Sequence, residues 1–295
     1  MNRVLINILL TSLFLLQSAQ AQVKEKAHSD SMNTILFKVN SQKHQHTSYL
    51  FGTHHAFGKV FFDSLAIANQ ALASSDLLIK ENLNIPGEMA EDIINRRTEI
   101  TQWKKYLSNE DLAYIENLFA TSPTDYNKMT PTEMYAFLNR YFKQQVCLNK
   151  TINNTSLSLD DYIGTEAEKL NIELVGLETT EEQIEMVNKD VEGMRKKSHK
   201  RRLHNIIEKL ITGNDSSCDE TNWYSNMNID YQLKRPCTNT LILTDRNAKW
   251  MKTIKESIDT NNCFIAVGLS HLMYECGLIN ELKAFGYTIE PIKIK

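Results

Sequence analysis

YLFGTHHAFG, from Tyr49 to Gly58, is the stretch on which the fold turns. An apolar run meets a glycine and then two adjacent histidines. Neighbouring side chains on an extended strand point to opposite faces, so at most one of His54 and His55 faces a given site. A second copy near the C-terminus separates them. CFIAVGLSHLMYECG, from Cys263 to Gly277, is again an apolar strand that runs into Gly-x-x-His, with Gly268 and His271. Histidine stands there only at the last position. His55 is therefore the repeated residue, and His54 is expected to face away, into packing or solvent.

Each copy has the same surroundings. Before the first, TILFKVN (Thr34 to Asn40) and TSYLFGT (Thr47 to Thr53) form a predicted hairpin. After it come a helical pattern, Phe61 to Ser75, and a buried strand, Leu77 to Ile79, that ends in Lys80 and Glu81. After the second come a helix that stops at Gly286, a good C-terminal cap, and the strand YTIEPIKI. The stretch between the copies is mainly helical. Ser108 is a plausible N-cap with Asp111 three residues on, and Pro131 opens an amphipathic run. SLDDYIGTEAEKLN reads as a helix, IELVGLET as a short strand and turn, and Thr180 to about Gly213 as helix. One long helix is expected from Thr238 to Ile258. The predicted fold is α/β: two related β-α-β units forming a central mixed sheet, with a large helical insertion between them. Ligands of open α/β sheets sit beyond the strands' carboxyl ends, where both histidines fall.

MNRVLINILLTSLFLLQSAQAQ reads as an address. Arg3, an apolar run from Val4 to Leu16, and Ser18-Ala19-Gln20-Ala21 predict a signal peptide, residues 1–21, cut after Ala21. Gln22, not a cysteine, stands directly after the cut, and no later segment reaches the roughly 18 unbroken apolar residues of a membrane span. An exported chain is expected, periplasmic or secreted, with a flexible lead-in over 22–33 and a single domain over 34–295. A formal net charge of -3 gives no support for a nucleic-acid partner. Five cysteines leave at least one without a partner in the chain. Cys218 and Cys237 bracket a polar segment and are the expected pair. The sequence sets no oligomeric state.

The candidate chemistry rests on few residues. Gly52 and Gly268 could simply be strand-to-helix turns, but histidine recurs at one offset from both. Imidazole is a common metal ligand and a base near neutral pH. Glu81 is either the first solvent-facing residue after its strand or a partner of His55 across adjacent strand ends. There it could orient the imidazole, ligate a metal or act as general base. His55, Glu81 and His271 together suit zinc, manganese or cobalt. Arg246 and Asn247 lie on a solvated helix face or offer a fork to an anion. The basic run Arg195 to Arg202 reads as a solvated helical face, with an anionic surface as the lesser alternative. The aromatic and methionine positions of MYAFLNRYF read as core. Neither HExxH nor GxSxG occurs, which removes the zincin and serine-hydrolase templates.

These motifs, in this order, resemble the TraB/GumN family, which includes Tiki-type metalloproteases that act on Wnt proteins. The carriers are GTHH, the acidic strand end in LLIKENL, the block SLDDYIGTEAEKLNIELVGLETTEEQIEMV, RNAKW, and AVGLSHLMYECGLINELKAFGYTIEPI. The likeness spans nearly everything from about residue 34 onward. It implies an α/β fold with both Gly-x-x-His motifs and the glutamate in one pocket, a divalent metal, and peptide-bond hydrolysis. His55, His271 and Glu81 would be ligands or bases, and Arg246 and Asn247 would polarise or hold the substrate. The family more commonly has an aliphatic residue where His54 stands. Two alternatives accompany this expectation: a non-catalytic peptide- or haem-binding protein of the same fold, and a metal-independent esterase using His55 as base.

Overall fold

The computed structural model describes residues 31–41, 46–149 and 157–294. The expected signal peptide and most of the expected lead-in lie outside the described residues. The end of that lead-in is paired: β1 (Ser31–Met32) runs antiparallel to β6 (Ile229–Asp230).

The main sheet has six strands in the order β5-β4-β7-β3-β2-β8. They are β2 (Leu36–Asn40), β3 (Thr47–Thr53), β4 (Leu77–Lys80), β5 (Glu173–Gly176), β7 (Cys263–Gly268) and β8 (Thr288–Ile292). β2 and β3 are the predicted hairpin. The two strands that carry Gly-x-x-His, β3 and β7, are parallel neighbours in a register that sets Thr53 against Gly268. β4 also runs parallel to β7, while β8 closes the far edge antiparallel to β2. The sheet is thus mixed, and the β-α-β repeat is imperfect. From β3 the chain passes beyond β7 to reach β4; from β7 it passes beyond β3 and β2 to reach β8. The two connections leave neighbouring strands in opposite directions, which opens a crevice at their carboxyl ends.

Burial on both faces explains the unbroken apolar runs. Leu77, Leu78 and Ile79 of β4 and Cys263 to Val267 of β7 are all buried. Around the sheet one hydrophobic cluster includes Phe51, Phe62, Trp250 and Phe264. A second core lies inside the insertion, where helices Pro131–Phe142 and Lys196–Thr212 pack together through Met134, Leu138, Leu203 and Ile207. Local signals there act as read: Ser108 accepts from the Asp111 N–H, and Thr130 with Glu133 forms a capping box before Pro131. The basic run exposes Arg195, Lys196, Lys197, Lys200 and Arg201.

Three expectations need correction. The helical stretch after His55 is two helices, Lys59–Asp63 and Ala66–Ala73, because Leu65 leaves helical geometry to bury its side chain completely. The long helix to Ile258 begins as a π-helical segment, Thr240–Asp245, capped by Asn239 on the Ile242 N–H, and becomes α-helical only at Arg246–Ile258. Cys218 pairs with Cys147, not Cys237, and Cys237 pairs with Cys276; Cys263 is free and buried. Cys218 opens the helix Asp219–Ser225 against the π-helical turn Lys143–Cys147, and nearness along the chain did not carry that contact.

Candidate active site

A cleft of about 930 Å³ opens at the carboxyl ends of β3 and β7. His55, Glu81, Arg246 and His271 all line it. Close approach of the two motifs depends on their glycines. A Cβ on Gly52 would lie 2.5 Å from the Leu269 side chain of the other motif, and one on Gly268 would lie 3.0 Å from Glu81 Oε1.

The two repeated histidines are held in opposite ways. His55 Nδ1 faces Asp160 Oδ2 at 2.7 Å, and its side chain is 58% exposed in the cleft. Thr53 Oγ1 donates to the other oxygen of Asp160. The Asp160 charge lifts the His55 imidazole to about 9, against desolvation and the nearby Arg140. Burial would raise the Asp160 carboxyl, but His55 and Thr53 outweigh it and hold it well below the usual carboxylate range. His55 is therefore an imidazolium at neutral pH, and its Nε2 has no protein partner among the described residues.

His271 is 3% exposed. Asn247 Nδ2 donates to the carbonyls of His271 and Cys276, which fixes its amide and leaves Oδ1 facing His271 Nδ1 at 2.7 Å. Arg246 Nη1 lies 3.0 Å from His271 Nε2. A guanidinium only donates, so Nε2 is the acceptor and Nδ1 carries the proton. Burial, reinforced by Arg246 and His55 and opposed by Glu81, pushes His271 down to about 4. It is neutral where His55 is charged.

Glu81 joins the two. Its Oε1 accepts the Gly268 N–H at 2.7 Å, and its Oε2 accepts from Arg246 Nη2 at 2.9 Å and Gln183 Nε2 at 3.1 Å. Burial would raise its carboxyl, but His271, Arg246 and His55 outweigh that and keep it below the ordinary glutamate value. Arg246 also binds Glu178 through Nε at 3.1 Å and through Nη2, and its guanidinium lies over the Trp250 ring. Arg246 and Asn247 are buried at the start of their helix, so the solvated-face alternative does not hold.

His54 faces the other way from His55. It packs against Phe57 and Tyr224, and its Nε2 lies 3.3 Å from Glu220 Oε1, although it also borders the cleft. Burial pushes its imidazole below the ordinary value, against the pull of Glu220.

Asp160, Glu178 and Gln183 complete the site, and motif spacing does not single them out. The signal available was the central block they share: each polar residue there precedes or opens a helix, as caps also do. Among the described residues, no group of three or more His, Cys, Asp or Glu side chains is placed to hold a metal ion. Glu81 and His271, two of the three expected ligands, both accept from one guanidinium. His55, the third, carries a proton. As arranged, this donor set does not fit an ion.

Strands leaving in opposite directions, with two histidines, a carboxylate and an arginine at the crevice between them, define an α/β protein with a candidate catalytic cleft at its switch point. The sequence model of the TraB/PrgY/gumN family matches residues 35–291, and the chain belongs to that family. No curated protein matches it in a sequence search.

Proposed function

We propose that the cleft hydrolyses peptides, with His55 as proton donor and Glu81 as proton acceptor. One observation carries this reading: His55, raised by Asp160, and Glu81, kept below the ordinary glutamate value, line the same cleft, one as a cation and the other as a carboxylate. Paired titratable groups driven apart by their environments mark acid and base roles. His55 Nε2–H faces the open cleft and donates to the leaving nitrogen. Glu81 Oε1 accepts only the Gly268 N–H, so one of its lone-pair positions is open for the proton of an attacking water. Arg246 has a second Nη1 proton without a partner among the described residues, suited to a developing oxyanion. His271 and Glu178 position Arg246 and do not touch the substrate.

A peptide library incubated with wild type, His55→Ala and His271→Ala tests this. Loss of His55 is expected to lower the rate by about 10²–10⁴-fold, the usual worth of general acid–base catalysis. Full activity in both variants sinks the reading. Tight peptide binding without turnover makes the protein a binding module instead.

The second reading is the metal-dependent peptidase that the family resemblance implies. Both imidazoles are backed at Nδ1, as metal-ligating histidines are. An ion would nevertheless have to displace Arg246 from Glu81 and His271. Exhaustive chelation separates the two readings. Unchanged turnover supports the first; loss restored by manganese, cobalt or zinc supports the second.

We also propose that the protein acts outside the cytoplasm. Two disulfides suit an oxidising compartment, and no helix among the described residues is long and apolar enough to cross a membrane. Mass spectrometry of the mature chain tests export, with Gln22 the expected first residue.

A further inference from the structure

The wall facing the two motifs comes from the helical insertion. Ala136, Phe137, Arg140 and Lys143 follow one another at helical spacing and all line the cleft. Most charged groups in that lining are spoken for. Glu81 pairs with Arg246, Lys143 with Glu220, and His55 with Asp160. Arg140 is the exception: it is exposed and has no hydrogen bond or ion pair among the described residues. It lines the same cleft as His55. The same cleft is also lined by the apolar side chains of Phe137, Val187, Trp223, Ile242 and Met273.

We infer that Arg140 anchors a substrate carboxylate, and that the cleft takes acylated amino acids or peptides whose free carboxylate lies next to the bond that is cut. The inference rests on the hydrolase reading and narrows it to C-terminal cleavage. A guanidinium matches a carboxylate as a two-pronged donor. Because Arg140 and His55 line one cleft, a carboxylate anchored on the guanidinium shares that cleft with the proton donor. Charge matching favours a monoanion: one unpaired positive group is available among the described residues, and a phosphate dianion would share the cleft with the carboxylates of Glu81 and Glu220.

The test uses N-acetylated apolar tripeptides in two forms, free acid and C-terminal amide. Binding is measured by calorimetry and hydrolysis by kcat/KM. Wild type is expected to prefer the acid by about tenfold or more, the effect of one partly desolvated guanidinium–carboxylate pair. That ratio is expected to fall to about one in Arg140→Ala, recover in part in Arg140→Lys, and invert in Arg140→Glu. Equal affinity for acid and amide in wild type, a ratio that survives in Arg140→Ala, or no binding of either form overturns the inference. If peptides bind but none is cut, the hydrolase reading fails on its own. The calorimetric ratio still decides Arg140.

Discussion

His55 and His271 occupy the same place in the same motif, on parallel strands one position apart in the sheet, yet their surroundings give them opposite characters. The first is exposed, faces a buried carboxylate and is held as a cation. The second is buried, faces an amide and a guanidinium, and is held neutral. The Gly-x-x-His pattern places the imidazole. The partner at Nδ1, supplied by a distant element, determines the protonation state. Asp160 belongs to the helix Leu159–Lys169, and Asn247 to the helix Arg246–Ile258. A repeat at the level of backbone is thus given two different electrostatic settings by its supports.

The largest way to break this contrast is Arg246→Ala. It leaves Glu81 and Glu178 buried without their cation, which costs about 3–5 kcal/mol. A drop of that size in the unfolding free energy from denaturant titration, with loss of turnover, is expected; Arg246→Lys recovers stability in part. Next is the joint change Cys237→Ser with Cys276→Ser. It frees the loop whose Cys276 carbonyl holds Asn247 and is expected to cost about 2–4 kcal/mol in thermal unfolding. Asp160→Asn acts on the other histidine. It removes the charge that raises His55, so the alkaline limb of the pH–rate profile is expected to move from about 9 toward 6.5. An unmoved limb assigns that limb to another group. The smallest effect falls on Gly268→Ala, whose Cβ would press on Glu81 Oε1; turnover is expected to drop about tenfold as the carboxylate shifts.

Stability should carry the same contrast in its pH dependence. His55 binds its proton more tightly folded than unfolded. Its contribution is complete below about 6.5 and is lost as pH rises through about 9. His271 binds its proton less tightly folded, so its contribution is present above about 6.5 and is lost as pH falls toward about 4. His55→Gln should flatten the alkaline slope only, and His271→Gln the acid slope only, in urea unfolding followed across pH.

Much of the fold was legible because the signals are local or repeated. Hairpin, buried strands, caps and the doubled Gly-x-x-His each lie within a short window, and the repeat made His55 preferable to its neighbour. Glu81 was visible as a carboxylate stranded behind an apolar strand. Asp160 and Glu178 were not, because a polar residue at a helix or strand terminus looks the same whether it caps, solvates or holds a histidine. The cysteine pairing failed for a related reason. The contact between the π-helical turn at Cys147 and the helix after Cys218 is made by the tertiary packing of the insertion, and sequence proximity suggested Cys237. The start of the last long helix also escaped: nothing in the apolar spacing of TLILT distinguishes a π-helical turn from the first turn of an α-helix.

Nitrogen NMR of the imidazoles distinguishes the opposite protonation of the two equivalent histidines. At pH 7 His55 is expected with both ring nitrogens protonated, and His271 neutral with its proton on Nδ1. On titration His55 should lose its proton near 9, and His271 should gain one only near 4. Two histidines that titrate together near 6.5, or a His271 protonated on Nε2, would contradict it.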